Sequence, residues 1–242
     1  AAAPTAKFVT TVRDFVVAGN VSGEESKGYW SDLNDETDWT PGATSQSDSQ
    51  VIADGGDIRG ITGGEYGLVF LEKAISRMSY VGAPLFFQFD TIARNIGCYE
   101  ANSIAQFGNL VFFLADDGFY MCDGQTVTPI GAEKVDRYFF TFADQSQIDK
   151  MSASIDVIRK LIIWQYTDIF AQKRLIIYNF QTKKWSEAET TSTYVATLAQ
   201  AGVTLEGLDT FGNMDTISTS FDSRIWSGGK FVLAGVKDTK IV

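Results

Sequence analysis

Leu161-Ile-Ile-Trp-Gln-Tyr166 and Arg174-Leu-Ile-Ile-Tyr-Asn-Phe180 are the two runs that decide the fold class. β-branched and aromatic residues dominate both, and each run is too short and too uniformly apolar to carry helical periodicity. A strand with one wet face alternates apolar and polar residues; these do not, so both of their faces must be covered. Blades stacked around an axis bury both faces of their inner strands and leave only short edges. The pattern therefore predicts an all-β fold, a β-propeller-like array of four-stranded antiparallel meanders, with a β-sandwich or barrel as the alternative.

Met151-Ser-Ala-Ser-Ile155 before these runs and Lys184-Trp-Ser-Glu-Ala188 after them complete one meander. The same grammar recurs upstream in Ile58-Arg-Gly-Ile-Thr62, Gly67-Leu-Val-Phe-Leu71, Ala74-Ile-Ser-Arg-Met-Ser-Tyr80 and Leu85-Phe-Phe-Gln-Phe89. Between the two lies Asn109-Leu-Val-Phe-Phe-Leu-Ala115, then Asp116-Asp117-Gly118, then Phe119-Tyr-Met-Cys-Asp-Gly124. The Asp117-Gly118 step is expected to place Gly118 at positive φ in a tight hairpin turn. Thr126-Val-Thr-Pro-Ile130 follows as an edge strand, because Pro129 has no N–H for a central ladder. Leu68, Leu110 and Leu161 mark the second strands, 42 and 51 residues apart, close to the ~40–50 residues of a propeller blade.

A further meander is expected at the front, from Lys7-Phe-Val-Thr-Thr-Val12, Phe15-Val-Val-Ala18, Gly28-Tyr-Trp-Ser31 and Trp39-Thr-Pro41. A less regular fifth runs from Tyr194 through Ile217-Ser-Thr-Ser-Phe221, Arg224-Ile-Trp226 and Phe231-Val-Leu-Ala-Gly235. Only residues 132–140 read as helical, with Val135 and Phe139 on one face. All of this fits one propeller-type domain over residues 1–242. The opening Ala-Ala-Ala-Pro without Met, and the strand-like ending Thr239-Lys-Ile-Val242, suggest a piece of a longer polypeptide.

Composition narrows the function. The apolar runs fall far below the roughly 20 residues that span a bilayer, so a soluble protein without membrane insertion is expected. A formal net charge of −10 argues against tight nucleic-acid binding, which needs Lys and Arg in excess on some face. Acid concentrates early: Glu24, Glu25, Asp32, Asp35, Glu36, Asp38, Asp48, Asp54 and Asp57 face only Lys27 and Arg59. Such a stretch is ordinarily a solvated face; the sharper reading is a surface past which a polyanion slides. Cys98 and Cys122 are the only cysteines, too few for a disulfide framework, and are expected as small buried residues in neighbouring strands.

The chain contains no histidine, which excludes Ser-His-Asp triads and imidazole metal sites. Carboxylate pairs remain chemically possible. However, neither Ser31-Asp-Leu-Asn-Asp-Glu-Thr-Asp-Trp39 nor Ser220-Phe-Asp-Ser-Arg-Ile-Trp226 fits the Ser-x-Asp-x-Gly-x-x-Trp turn of sialidases. Asp32, Asn34, Glu36 and Asp38 alternate like ligands of a calcium loop, but Thr37 and Ala43 stand where that loop needs Gly and Glu. Those four residues read as turn formers. Asp54-Gly-Gly-Asp57 and Thr62-Gly-Gly-Glu65 lack the helix and Lys of a phosphate cradle and read as tight turns. Phe86, Phe87, Phe89, Phe112, Phe113, Phe119 and Tyr120 lack a basic groove for base stacking and are assigned to the core. No catalytic, cofactor-binding or metal residue is assigned, and an enzyme is not expected.

Five strings, taken in order, resemble one family. They are Tyr29-Trp-Ser-Asp-Leu-Asn-Asp-Glu-Thr-Asp-Trp-Thr-Pro41, Asp54-Gly-Gly-Asp-Ile-Arg-Gly-Ile-Thr-Gly-Gly-Glu-Tyr-Gly-Leu-Val-Phe70, Leu114-Ala-Asp-Asp-Gly-Phe-Tyr120, Pro129-Ile-Gly-Ala-Glu-Lys-Val-Asp-Arg137 and Leu175-Ile-Ile-Tyr-Asn-Phe-Gln-Thr-Lys-Lys-Trp185. Together they are similar to the packaged-DNA stabilisation or tail nozzle proteins of short-tailed bacteriophages. The resemblance implies a propeller-bearing structural virion protein, a homo-oligomer usually of six subunits in a ring below the head-to-tail adaptor and beside other tail proteins. It implies assembly in the host cytoplasm and a place in the phage tail, where genomic DNA passes without specific binding and is retained until ejection. No catalytic residue or cofactor comes with it. A carbohydrate- or receptor-binding β-propeller of adhesin type is the alternative function.

Overall fold

The computed structural model describes residues 2–199, 231–237 and 240–241. The fold is all-β, an array of antiparallel sheets in each of which consecutive strands are neighbours. The expected strands at residues 217–221 and 224–226 lie outside the described residues. The chain divides into two compact units, Ala1–Met151 and Ser152–Val242.

In the first unit the first sheet comprises β1 (Ala6–Val12), β2 (Phe15–Val21), β3 (Glu24–Trp30) and β4 (Asp48–Val51). Residues 39–41, expected as its fourth strand, lie instead in the long β3–β4 connection. The ladder with β3 is closed by Asp48-Ser-Gln-Val51, a polar edge strand without an apolar signature. The second sheet comprises β5 (Ile58–Thr62), β6 (Gly67–Leu71), β7 (Ala74–Gly82) and β8 (Phe86–Arg94). The third comprises β9 (Ala105–Phe107), β10 (Leu110–Leu114), β11 (Phe119–Cys122) and β12 (Val127–Pro129), with Pro129 on an edge strand as its missing N–H requires. β9, only three residues long, completes the meander ahead of the quoted runs.

The both-faces argument is visible in β6, all five residues of which are buried. Val69 and Leu71, with Ala74 and Met78 of β7, pack on Val12, Phe15, Val17 and Trp30 of the first sheet. Leu68 and Phe70, with Ile75, pack the other way on Val111, Phe113, Tyr120 and Cys122 of the third. Alternate residues of one strand therefore serve two cores, each large buried side chain contributing ~1.5–3 kcal/mol. Phe87, Phe112, Phe113, Phe119 and Tyr120 are core residues as expected, and Phe86 and Phe89 pack against the core half-buried.

The helix α1 (Asp136–Phe142) starts four residues after the expected position and ends two later. The Gly131 carbonyl collects the N–H groups of Lys134, Val135 and Asp136 in a turn that precedes the helix and delays its start. Phe139 is nonetheless the buried residue of α1, packed edge-on against Phe119 at 5.0 Å.

In the second unit β13 (Ser152–Asp156), β14 (Leu161–Thr167), β15 (Lys173–Asn179) and β16 (Lys184–Glu189) form the fourth sheet. β17 (Tyr194–Ala199), β18 (Phe231–Lys237) and β19 (Lys240–Ile241) form the fifth. β13 and β17 are joined through side chains: Thr197 Oγ1 accepts from Ile155 N at 3.1 Å and donates to Ile155 O at 2.6 Å, and Ser152 Oγ accepts from Val195 N at 3.3 Å. Among the described residues no helix is long and apolar enough to cross a membrane.

Candidate functional site

Turn chemistry fixes most of the polar groups. Asp123 Oδ1 accepts from the N–H of Gln125 and Thr126, Asp156 Oδ1 from Ile158 and Arg159, Asp168 Oδ1 from Phe170 and Gln172, and Asn179 Oδ1 from Gln181 and Thr182. A short acceptor side chain opening a turn mimics a backbone carbonyl and stops the strand there. Of the four residues that alternate like a calcium loop, Asp38 has this role, Asn34 sits at positive φ, and Asp32 instead ties the loop to Gln46, while the neighbouring Asp35 forms a further turn. Asp32 Oδ1 accepts from Gln46 N, Asp35 Oδ1 from the N–H and hydroxyl of Thr37, and Asp38 Oδ1 from Thr40 N. Among the described residues, no group of three acidic or thiol side chains converges as a metal would require.

The Asp117-Gly118 hairpin forms, with Leu114 opposite Phe119 and Ala115 N donating to Gly118 O at 2.8 Å. Its expected mechanism is corrected, because Gly118 is not among the residues at positive φ. Glycine is needed there for space. A Cβ at 118 would lie 2.5 Å from Cγ of Asp136, and one at Gly131 would lie 2.6 Å from the same atom. The Asp136 carboxylate sits between these two glycines and accepts from Phe119 N at 3.1 Å. Burial pushes its pKa up, the Phe119 hydrogen bond pulls it down, nearby Asp117 raises it, and the net direction is up.

Thr62-Gly-Gly-Glu65 also does more than turn. Gly64 N donates to Thr11 O at 3.2 Å and Arg13 N to Gly64 O at 2.8 Å, a parallel bridge that ties the first sheet to the second. A Cβ on Gly63 would run into the Thr11 carbonyl and lie 2.6 Å from Thr10 Oγ1.

The nucleophilic groups are equally committed. Cys98 and Cys122 are free thiols buried in one core cluster. Cys122 lies in β11, but Cys98 lies in the connection after β8 rather than in a neighbouring strand, its N–H donating to Leu71 O at 2.9 Å. Burial pushes the Cys98 thiol up to about 12, and also raises that of Cys122, so neither offers a thiolate near neutral pH. Burial, with the hydrogen bond to Asp117, likewise takes Tyr120 to about 12.

Three surface features remain. A cavity of about 40 Å³ lies between Thr62–Tyr66 and Gln106–Asn109, room for little more than a water. An open groove of about 770 Å³ on α1 is lined by Glu133, Lys134, Arg137, Tyr138, Thr141 and Phe142, with the rings of Tyr138 and Phe142 4.9 Å apart. It is open to solvent and lined from one side, by the helix and the turn before it. Third, Arg159, Lys160, Lys183 and Lys184 gather at one end of the fourth sheet, on turns that are neighbours because β14 and β15 lie between them.

No family model matches the chain, and no curated protein matches it. A solved structure from Bacteroides fragilis, a "Putative exported protein", is similar with a TM-score of 0.40 and 10% identity, over 75% of this chain and 58% of that one. Likeness of that degree carries no argument about function.

Sequence reasoning assigned no site residues and missed both the α1 groove and the basic end of the fourth sheet. The latter had a signal: Arg159-Lys160 and Lys183-Lys184 each close a turn of the same meander. Turns between strands one and two and between strands three and four fall at the same end of a sheet.

Proposed function

We propose that this chain is a structural subunit of a short-tailed bacteriophage tail, of the nozzle or packaged-DNA stabilisation type, and contributes to an oligomeric conduit for the genome. The observation that carries the reading is the use of its chemistry. The buried thiols, the Asp136 and Asp168 carboxylates and the turn-forming Asp residues all serve hydrogen bonds or packing within their own unit. A molecule organised in this way offers shape and surface charge rather than turnover. The five strings that resemble the family fall largely on strand cores and turns of the first four sheets, where a scaffold concentrates its distinctive residues. The β3–β4 loop and its flanks, from residue 28 to 58, hold seven acids and no Lys or Arg, which disfavours retention of a polyanion on that surface. Sedimentation analysis of the full chain tests the proposal. Six copies of 26.6 kDa, roughly 160 kDa, is the expected ring; a monomer at every concentration contradicts it.

The α1 groove favours a second reading, a ligand-binding module, because the neighbouring rings of Tyr138 and Phe142 beside Lys134 and Arg137 suit a sugar ring or an acidic glycan. Glycan-array binding abolished by Tyr138→Ala would support that reading over the first.

A further inference from the structure

The basic end of the fourth sheet stands out in a chain of net charge −10. Asp156 faces Leu161, Leu161 faces Asn179 and Asn179 faces Lys184, so the turns at 157–160 and 180–183 emerge side by side. They are tied together by Phe180 N donating to Lys160 O at 3.1 Å and by Asn179 Nδ2 donating to Arg159 O at 3.5 Å. Arg159, Lys160 and Lys183 lie on these two turns and Lys184 opens β16 beside them, and Asp156, the acid that ends β13, is buried. Its oxygens are already committed to Ile158 N, Arg159 N and the Arg159 guanidinium. The Arg159 side chain remains 75% exposed, and Lys183 and Lys184 are exposed with no ion-pair partner among the described residues. Ile158, 70% exposed, stands among them as an apolar tip.

The β3–β4 loop has the opposite character. Asp35 and Glu36 are exposed and Asp38 half-buried in the loop, Asp48 is exposed where β4 begins, Leu33 is 40% exposed, and none of these acids has an ion-pair partner among the described residues. Its shape is fixed by the hydrogen bonds of Asp32, Asp35 and Asp38 and by Trp39 Nε1 donating to Glu36 O at 2.7 Å. One surface carries an exposed isoleucine on turns rich in cations, the other an exposed leucine in a loop rich in acids.

We propose that the basic end of the fourth sheet docks on the acidic β3–β4 loop of a second copy of this chain, joining copies head to tail. The inference rests on the reading of the chain as an oligomeric subunit and names the surfaces that join. The contact is heterologous, because two different patches meet; repetition gives a ring if the rotation closes and a filament if it does not. An exposed isoleucine on the same turn as Arg159 and Lys160 suits a protein surface with its own apolar residue better than a phosphate backbone, which offers none.

The test is a charge swap read by sedimentation velocity on the full chain, with circular dichroism melts confirming that each variant is folded. Wild-type association should weaken by at least about tenfold between about 50 mM and 500 mM salt. Lys183→Glu with Lys184→Glu should weaken it about tenfold or more, as should Glu36→Lys with Asp48→Lys. An equimolar mixture of the two double variants should associate again, because every contact in an alternating assembly is then between opposite charges. Variants that associate like the wild type, or a mixture that does not recover, overturn the proposal while leaving the oligomeric reading standing. A wild-type chain that stays monomeric overturns both. A 20-base-pair duplex bound by the wild type but not by the Lys183→Glu, Lys184→Glu variant would assign the basic end to phosphate instead and also overturn the proposal.

Discussion

Substitution of Gly118 by alanine should destabilise the first unit through Asp136 rather than through backbone strain. The added Cβ falls 2.5 Å from Cγ of Asp136, so the carboxyl must shift away from the position in which it accepts from Phe119 N at 3.1 Å. Overpacking of this kind costs about 1–3 kcal/mol. Displacing the carboxylate also weakens its bond to Phe119 N, and hydrogen bonds to charged groups contribute ~1.5–3 kcal/mol. A cost of about 2 kcal/mol follows, or roughly 4–8 °C in melting temperature for a chain of this size; the bulkier Gly118→Val should cost more. The decisive assay is a double-mutant cycle in urea with Gly118→Ala, Asp136→Ala and both together. With the carboxylate gone the alanine has room, so its cost should drop below about 0.5 kcal/mol and the coupling should exceed about 1 kcal/mol. Additivity of the two substitutions, or an unchanged melting temperature for Gly118→Ala, would refute the reasoning.

Gly63→Ala should cost at least about 2 kcal/mol, since its Cβ meets the Thr11 carbonyl, and it should accelerate hydrogen exchange at Arg13 and Gly64; unchanged exchange would contradict the parallel bridge. Asp168 is buried and paired with Arg174 at 3.0 Å, so Asp168→Ala should destabilise the second unit by about 3 kcal/mol in denaturant titration. Burial alone would raise the Asp168 pKa, but its hydrogen bonds from Gln172, Arg174 and Phe170 bring it below the ordinary value. Its contribution is therefore present above the ordinary carboxyl range and lost as pH falls through the lowered pKa. Asp136 has the opposite sign: with its folded pKa raised, the contribution is complete below the ordinary carboxyl pKa and lost as pH rises through the folded one. Asp136→Asn should flatten that limb of a stability-versus-pH curve, and an unaltered curve would count against the buried site. Cys98 and Cys122 should resist a thiol reagent at about pH 8 until denaturant is added, because free cysteine titrates at about 8.5 and burial raises both; rapid native labelling would contradict their burial.

The parts of the fold legible in the sequence are those set by burial on two faces. Gly67–Leu71, Leu110–Leu114 and Leu161–Thr167 form the second strands of their sheets, and the apolar runs locate them within a residue or two. Edge strands were less legible because exposure removes the apolar signal: Asp48-Ser-Gln-Val51 is indistinguishable by composition from the loop before it, so Trp39-Thr-Pro41 took its place. Gly118 shows a different limit. A glycine after Asp suggests positive φ from local chemistry, but the requirement here comes from Asp136, eighteen residues further along the chain but adjacent in space. The basic end of the fourth sheet was hidden by averaging, since its four cations are split between two dipeptides and submerged in a strongly acidic total.

The proposal that this chain is built into a virion is tested most directly by quantitative peptide mass spectrometry of purified particles of a short-tailed phage whose genome carries this sequence. The account predicts peptides of this chain in stoichiometric amount, retained in isolated tails after the heads are emptied of DNA, at about six copies per particle. Their absence from purified virions, with the chain recovered from host membranes or culture medium instead, would contradict it.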